Sequence, residues 1–72
     1  MTFTLETAAH YAIENYDKTL NGRFGYKRNA DDYDSATIEL NSLEELMELQ
    51  QLVKYKLVLN GNRILIKDYY TE

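Results

Sequence analysis

The chain contains no cysteine, which removes both a disulfide framework and a thiolate zinc site as means of stapling so short a polypeptide. Proline is absent as well, which fits compact secondary structure joined by short turns. The three glycines, Gly22, Gly25 and Gly61, match no phosphate-cradling motif. No stretch approaches the run of ~18 apolar residues that marks a membrane span. The opening Met1-Thr2-Phe3-Thr4-Leu5-Glu6 lacks the basic start and apolar core of a signal peptide, so the expected location is the cytoplasm. Basic charge is scarce: eight Lys and Arg are scattered among twelve Asp and Glu, for a net charge of −4. A phosphate-binding protein clusters its cations to displace counterions, so direct nucleic-acid binding is disfavoured and a basic partner is favoured.

What is present is enough for one domain spanning residues 1–72. A chain this short buries only about 60% of its unfolded surface, so its stability margin is thin. A hydrophobic fraction of 44% nevertheless suits a folded domain better than a disordered tail.

The dominant element is a helix over 42–55. Ser42 followed by Glu45 is a capping-box pattern, in which the hydroxyl takes a first-turn N–H and Glu45 reaches back to the Ser42 N–H. Glu44, Glu45 and Glu48 lie near the positive end of the helix dipole and Lys54 near the negative end. Leu43, Leu46, Met47 and Val53 share one face at helical spacing, the pattern of a core stripe. Leu49 and Leu52 widen the apolar arc beyond it. That width fits a helix buried deeply against a sheet, and equally an apolar edge turned to a second copy or a partner.

Ahead of this helix, Thr4 to Leu20 reads as a first helix, with Thr4 as N-cap and Gly22 as the stop. Leu5, Ala8, Ala9, Ala12, Ile13, Tyr16 and Leu20 fall on one arc of about 140°, and Glu6, His10, Glu14 and Asp17 lie opposite. Arg23 to Arg28 reads as a short edge strand. Residues 29–34 read as an acidic loop, and Ser35 to Leu40 as an alternating strand closing a hairpin. After the second helix, Lys56–Leu59 and Arg63–Tyr70 read as a hairpin through Asn60-Gly61, the residue pair of a type I′ turn. A two-residue loop pairs Leu57 with Ile64, and a three-residue loop pairs Val58 with Ile64. The order α-β-β-α-β-β implies an α+β domain, a mostly antiparallel sheet with its helices on one face. Thr37, Glu39, Arg63 and Lys67 are expected on the other face.

Few constellations carry chemistry. His10 stands four residues from both Glu6 and Glu14, a spacing that can grip a divalent ion, but a stable site wants more ligands than one exposed helix face supplies. A nucleophilic triad would have to recruit Ser35 or Ser42, and Ser42 is explained as a cap. No enzyme activity, metal or cofactor is expected. Tyrosine is the unusual feature, with seven in the chain. Tyr16 belongs to an apolar arc. Tyr33 lies between Asp32 and Asp34, and Tyr69 and Tyr70 follow Asp68. Tyrosines either fill the rim of a small core or anchor an interface, where a flat apolar body ends in a hydrogen-bonding hydroxyl. Spaced acids imitate the phosphate ladder of nucleic acid and tyrosine rings imitate its bases.

The alternating strand, the Ser-Leu-Glu-Glu-Leu helix opening and the hairpin ending in Lys-Asp-Tyr-Tyr-Thr-Glu resemble small accessory proteins of phages and mobile elements of low-GC Gram-positive bacteria. Those proteins include anti-CRISPR inhibitors of Cas9-type nucleases. The resemblance covers roughly residues 35–72 and implies an accessory inhibitor. The expectation is therefore a non-enzymatic acidic module that binds the basic nucleic-acid-binding surface of a nuclease or similar protein. Asp31, Asp32, Tyr33 and Asp34 are the expected anchor, assisted by Glu6, Glu14 and Asp17. The alternative is a homodimer formed through helix 42–55, with Leu49 and Leu52 in contact, or through an edge strand. A third class is direct nucleic-acid binding through Arg23, Lys27 and Arg28.

Overall fold

Strand β1 (Thr2–Thr7) occupies the centre of the sheet, where the sequence pattern had pointed to a helix from Thr4. Its threonines are stiff at χ1 and suit a pleated strand better than a helix turn. Phe3 and Leu5 also alternate with Thr2, Thr4 and Glu6. Leu5 satisfies both periods, and the tertiary pairing decides between them. The computed structural model describes residues 1–7, 13–30 and 35–67. Among the described residues the first helical structure is a 3-10 turn, Ile13–Tyr16, which continues into α1 (Asp17–Leu20). The expected core residues of that segment, Ile13, Tyr16 and Leu20, are all buried.

The remaining elements are β2 (Lys27–Arg28), β3 (Ser35–Glu39), α2 (Leu43–Val53), β4 (Lys56–Asn60) and β5 (Arg63–Lys67). From the first helical segment onward the expected order holds, with β1 added ahead of it. The five strands form one sheet in the order β2-β3-β1-β5-β4. The β1–β5 pairing is parallel and the other three are antiparallel. Two connections therefore link parallel strands across inserted ones: β1 to β2 through α1, and β3 to β4 through α2. They run in opposite directions along the sheet from strands of opposite sense. Crossovers of a single hand consequently put both helices on one face. One apolar cluster joins Leu5, Ala36, Ile38, Ile64 and Ile66 of the sheet to Ile13, Leu20, Leu49 and Val53 of the helical layer. The architecture is α+β with a mostly antiparallel sheet. By strand parity Thr37, Glu39, Arg63 and Lys67 share the opposite face with Thr2, Thr4 and Glu6, as expected.

Strand β2 is shorter than expected because Phe24 (φ 55) and Gly25 (φ 61) turn the chain before it. The β4–β5 hairpin differs in register. Asn60 pairs with Arg63 and Leu59 with Ile64, so the two-residue loop is Gly61-Asn62 rather than Asn60-Gly61. Gly61 takes φ +63 and Asn62 is not left-handed, which places the glycine at the first central position, as a type II′ turn requires.

Helix α2 opens on the expected cap, with the Ser42 hydroxyl accepting from the Glu45 N–H at 3.2 Å. Glu45 reaches back one residue further than the capping-box pattern implies, accepting from the Asn41 N–H at 2.6 Å. Lys54 closes the helix in the left-handed conformation, its N–H donating to the Gln50 carbonyl at 3.0 Å. The buried stripe is rotated from the expected one. Leu49 and Val53 are buried, whereas Leu43 and Met47 stand 71% and 57% exposed. The apolar arc is wider than the sheet covers. The flank bearing Leu52 and Glu48 lies toward α1, where Arg23 pairs with Glu48 at 3.3 Å.

Candidate interaction surfaces

Strand pairing gathers several chain ends at one end of the sheet. Thr7 ends β1, Arg28 ends β2, Lys67 ends β5, and Ser35 and Lys56 begin β3 and β4 there. Asn29 clamps the β2–β3 hairpin at this end. Its N–H donates to the Ser35 carbonyl at 3.1 Å, its side-chain amide donates to the Ser35 hydroxyl at 2.9 Å, and its amide oxygen accepts from Thr37 at 2.8 Å. These bonds account for the burial of Ser35, the one buried polar residue among those described.

Beside the clamp lies a polar cleft of about 450 Å³ lined by Asp17, Lys18, Asn21, Tyr26, Lys27 and Arg28. Tyr26 donates its hydroxyl to Asp17 at 2.6 Å. Burial first, and then the bond and charge of Asp17, hold the phenol far above its usual range. Arg28 reaches both Glu14 and Asp17 at 3.5 Å. Glu14 and Asp17 are thus brought together, but through a shared arginine that offsets their charge. Glu6 lies apart from them on the open face of β1, paired with Arg63. The expected acidic face of a single first helix is corrected in this respect: Glu6 belongs to a strand, and all three acids have internal cationic partners. Two of the basic trio are similarly engaged, Arg23 on Glu48 and Arg28 on Glu14 and Asp17, and Lys27 lines the cleft.

Asp31, Asp32, Tyr33 and Asp34 lie outside the described residues, as do His10, Tyr69 and Tyr70. Their positions in the chain still locate the charge. All eight basic residues and seven of the twelve acids are within the described residues. The other five acids, Asp31, Asp32, Asp34, Asp68 and Glu72, belong to segments 31–34 and 68–72, whose −5 against the +1 of the described residues makes the net −4. The first segment rejoins the sheet at Ser35 on β3 and the second leaves it at Lys67 on β5. Only β1 separates those strands, which sets them two strand spacings, about 10 Å, apart.

The expected dimer contact at Leu49 is overturned, because that side chain is fully buried in the core and Leu52 is half-buried beside it. The apolar surface lies on the other flank of α2. There Met1, Phe3, Leu40, Leu43, Leu46 and Leu59 line a groove of about 380 Å³. Sequence reasoning missed Leu43, Met47 and Leu59 as surface groups. The excess width of the α2 arc was the signal that some leucines had to remain uncovered.

Among the described residues no group of three or more His, Asp and Glu is placed to hold a metal ion, and no helix is long and apolar enough to cross a membrane. No family model, no curated protein and no solved structure matches the chain.

Proposed function

We propose that the protein is a non-enzymatic, cytoplasmic, acidic binding module that occupies the basic nucleic-acid-binding surface of another protein. Its most concrete form is a phage-type, anti-CRISPR-like inhibitor of a nuclease. One observation carries this reading: the net negative charge resides in two short segments that also contain Tyr33, Tyr69 and Tyr70 and join the sheet at the same end. Five of the seven described acids have a cationic partner, so this reading takes its field from the acids of these two segments. Closely spaced charge of one sign focuses that field and speeds encounter with an oppositely charged cleft, and tyrosines supply the flat apolar contacts that hold it. Glu14, Asp17 and Arg28 serve this reading as supports of the neighbouring hairpin.

The test is a pull-down with tagged protein against a Cas9-type nuclease, with and without its guide RNA, at low and high salt. Capture of the RNA-free nuclease, released by salt and prevented by guide RNA, is the expected result. Asp32→Lys and Tyr33→Ala are each expected to weaken capture at least tenfold. Equal capture by both variants would remove residues 31–34 from the interface. Salt-independent capture would remove the electrostatic reading.

A further inference from the structure

Strand β4 forms one edge of the sheet among the described residues, and its backbone polarity can be assigned. The Thr4 N–H donates to the Asn62 carbonyl, so the even-numbered residues of this strand region point their backbone groups at β1 and the odd-numbered ones at β4. Lys56, Val58 and Asn60 pair with Lys67, Leu65 and Arg63 and turn their groups inward. Leu57 and Leu59 therefore present N–H and C=O along the open edge. Soluble proteins blunt such edges with proline, bulges or charge. Here the edge has no proline, its only charge is Lys56 at one end, and Leu59 is half exposed.

The helix above the edge is equally uncovered. On α2 the flank away from α1 carries Leu43 and Met47, both exposed, and Leu43 shares a groove with Leu59. The uncovered band thus runs along both layers on one side of the molecule. It is also polarised: Glu44 stands at the amino end of α2 and Lys54 at its carboxyl end.

We propose that this edge is occupied by a second copy of the chain, with β4 pairing antiparallel to its counterpart about a two-fold axis at Val58. The backbone polarity requires the axis to pass through a residue rather than between two, and Val58 is the middle residue of β4. Val58 opposite Val58 places Leu57 opposite Leu59 twice, and the four outward-facing residues form four hydrogen bonds. The axis stands perpendicular to the sheet, so the helices of both copies lie on one face and their apolar flanks meet across the seam. It reverses the second copy end for end. Lys54 of each then lies level with Glu44 of the other, and Lys56 faces Asn60 rather than another lysine. Any parallel pairing would align like charges. The self-complementarity of this band is what favours a second copy over an unrelated partner. The proposal differs from a contact through Leu49 and Leu52, which would require the buried side of α2.

The chain lacks cysteine, so single cysteines read the register directly. In a non-hydrogen-bonded antiparallel pair the Cα atoms lie about 4.5 Å apart, within disulfide reach. Val58→Cys is expected to form a disulfide-linked dimer under mild oxidation. Lys56→Cys and Asn60→Cys are not, because each lies about 14 Å along the strand from its own counterpart. Sedimentation of the wild type is expected at twice the 8.5 kDa chain mass. Leu59→Lys and, independently, Met47→Lys are expected to raise the dimer dissociation constant about tenfold or more while leaving the far-ultraviolet spectrum unchanged. A wild type that sediments at the monomer mass at high micromolar concentration overturns the proposal. Equal cross-linking at positions 56, 58 and 60 also overturns it.

Discussion

Tyr26 shows how one side chain holds the polar cleft together. Its ring is half-buried and its hydroxyl bonds Asp17 while also lying 3.4 Å from the Ile13 carbonyl. Tyr26→Phe is expected to cost about 1–2 kcal/mol at neutral pH, read by urea unfolding, because the acceptor is a charged but partly solvated carboxylate. The folded phenol pKa is raised, so its contribution is complete below the unfolded value of about 10. It is lost as pH rises beyond that, when only the unfolded state releases the proton. Wild-type stability is thus expected to fall above pH ~10, and the fall to be shallower in Tyr26→Phe. Glu39 works in the opposite sense. The Thr2 hydroxyl and then the N-terminal ammonium hold its carboxyl below the ordinary range. That contribution is present above the unfolded pKa and disappears as pH falls through the carboxylate range. Thr2→Val is expected to flatten the acid limb of a stability–pH curve, the check being denaturant midpoints measured down that limb.

At the scale of elements, α2 divides into positions that matter for folding and positions left for contact. Leu49→Ala is expected to cost about 2–5 kcal/mol, because it opens a cavity in a fully buried site. Leu43→Ala is expected to change monomer stability by no more than about 0.5 kcal/mol. Denaturant titration of the two variants measures the helix orientation directly, since the apolar stripe read from sequence predicts the reverse ranking. Ser42→Ala is expected to cost about 1 kcal/mol through loss of the cap. Lys54 occupies the left-handed C-terminal position at φ 70, where glycine carries no Cβ penalty. Lys54→Gly is expected to stabilise the fold by roughly 0.5–1 kcal/mol, visible as a higher urea midpoint.

For the whole molecule, the described part is electrically near balance and the excess acid belongs to segments 31–34 and 68–72. Replacing Asp31, Asp32 and Asp34 together by Asn would move the net charge from −4 to −1. The variant is expected to abolish salt-dependent partner binding with little loss of thermal stability, because three like charges within four residues repel one another and their removal relieves that repulsion. A large fall in melting temperature would instead assign the segment a role in the fold. The ion pairs themselves are exposed, and each is expected to contribute no more than about 1 kcal/mol.

Local chemistry alone determined much of this protein. Ser42 and Glu45 mark the start of α2. The alternation from Ser35 to Leu40 and the apolar run on either side of Gly61 mark strands. Composition sets an acidic chain, and the order of these elements implies the α+β class. Each of these signals is complete within a few residues, so no distant contact is needed to interpret it. Three features were decided only by tertiary structure. Leu5 fits both a helical and a strand period, and it became a strand residue because β3 and β5 supply hydrogen-bonding neighbours on both sides of β1. The α2 arc is wider than the area available beneath it, and α1 determined which flank was covered. The pairing of Glu6 with Arg63 and of Glu14 and Asp17 with Arg28 joins residues far apart in sequence. Whether an acid is matched or left as surface field depends on those long-range partners, which is why the candidate site emerges from the assembled sheet.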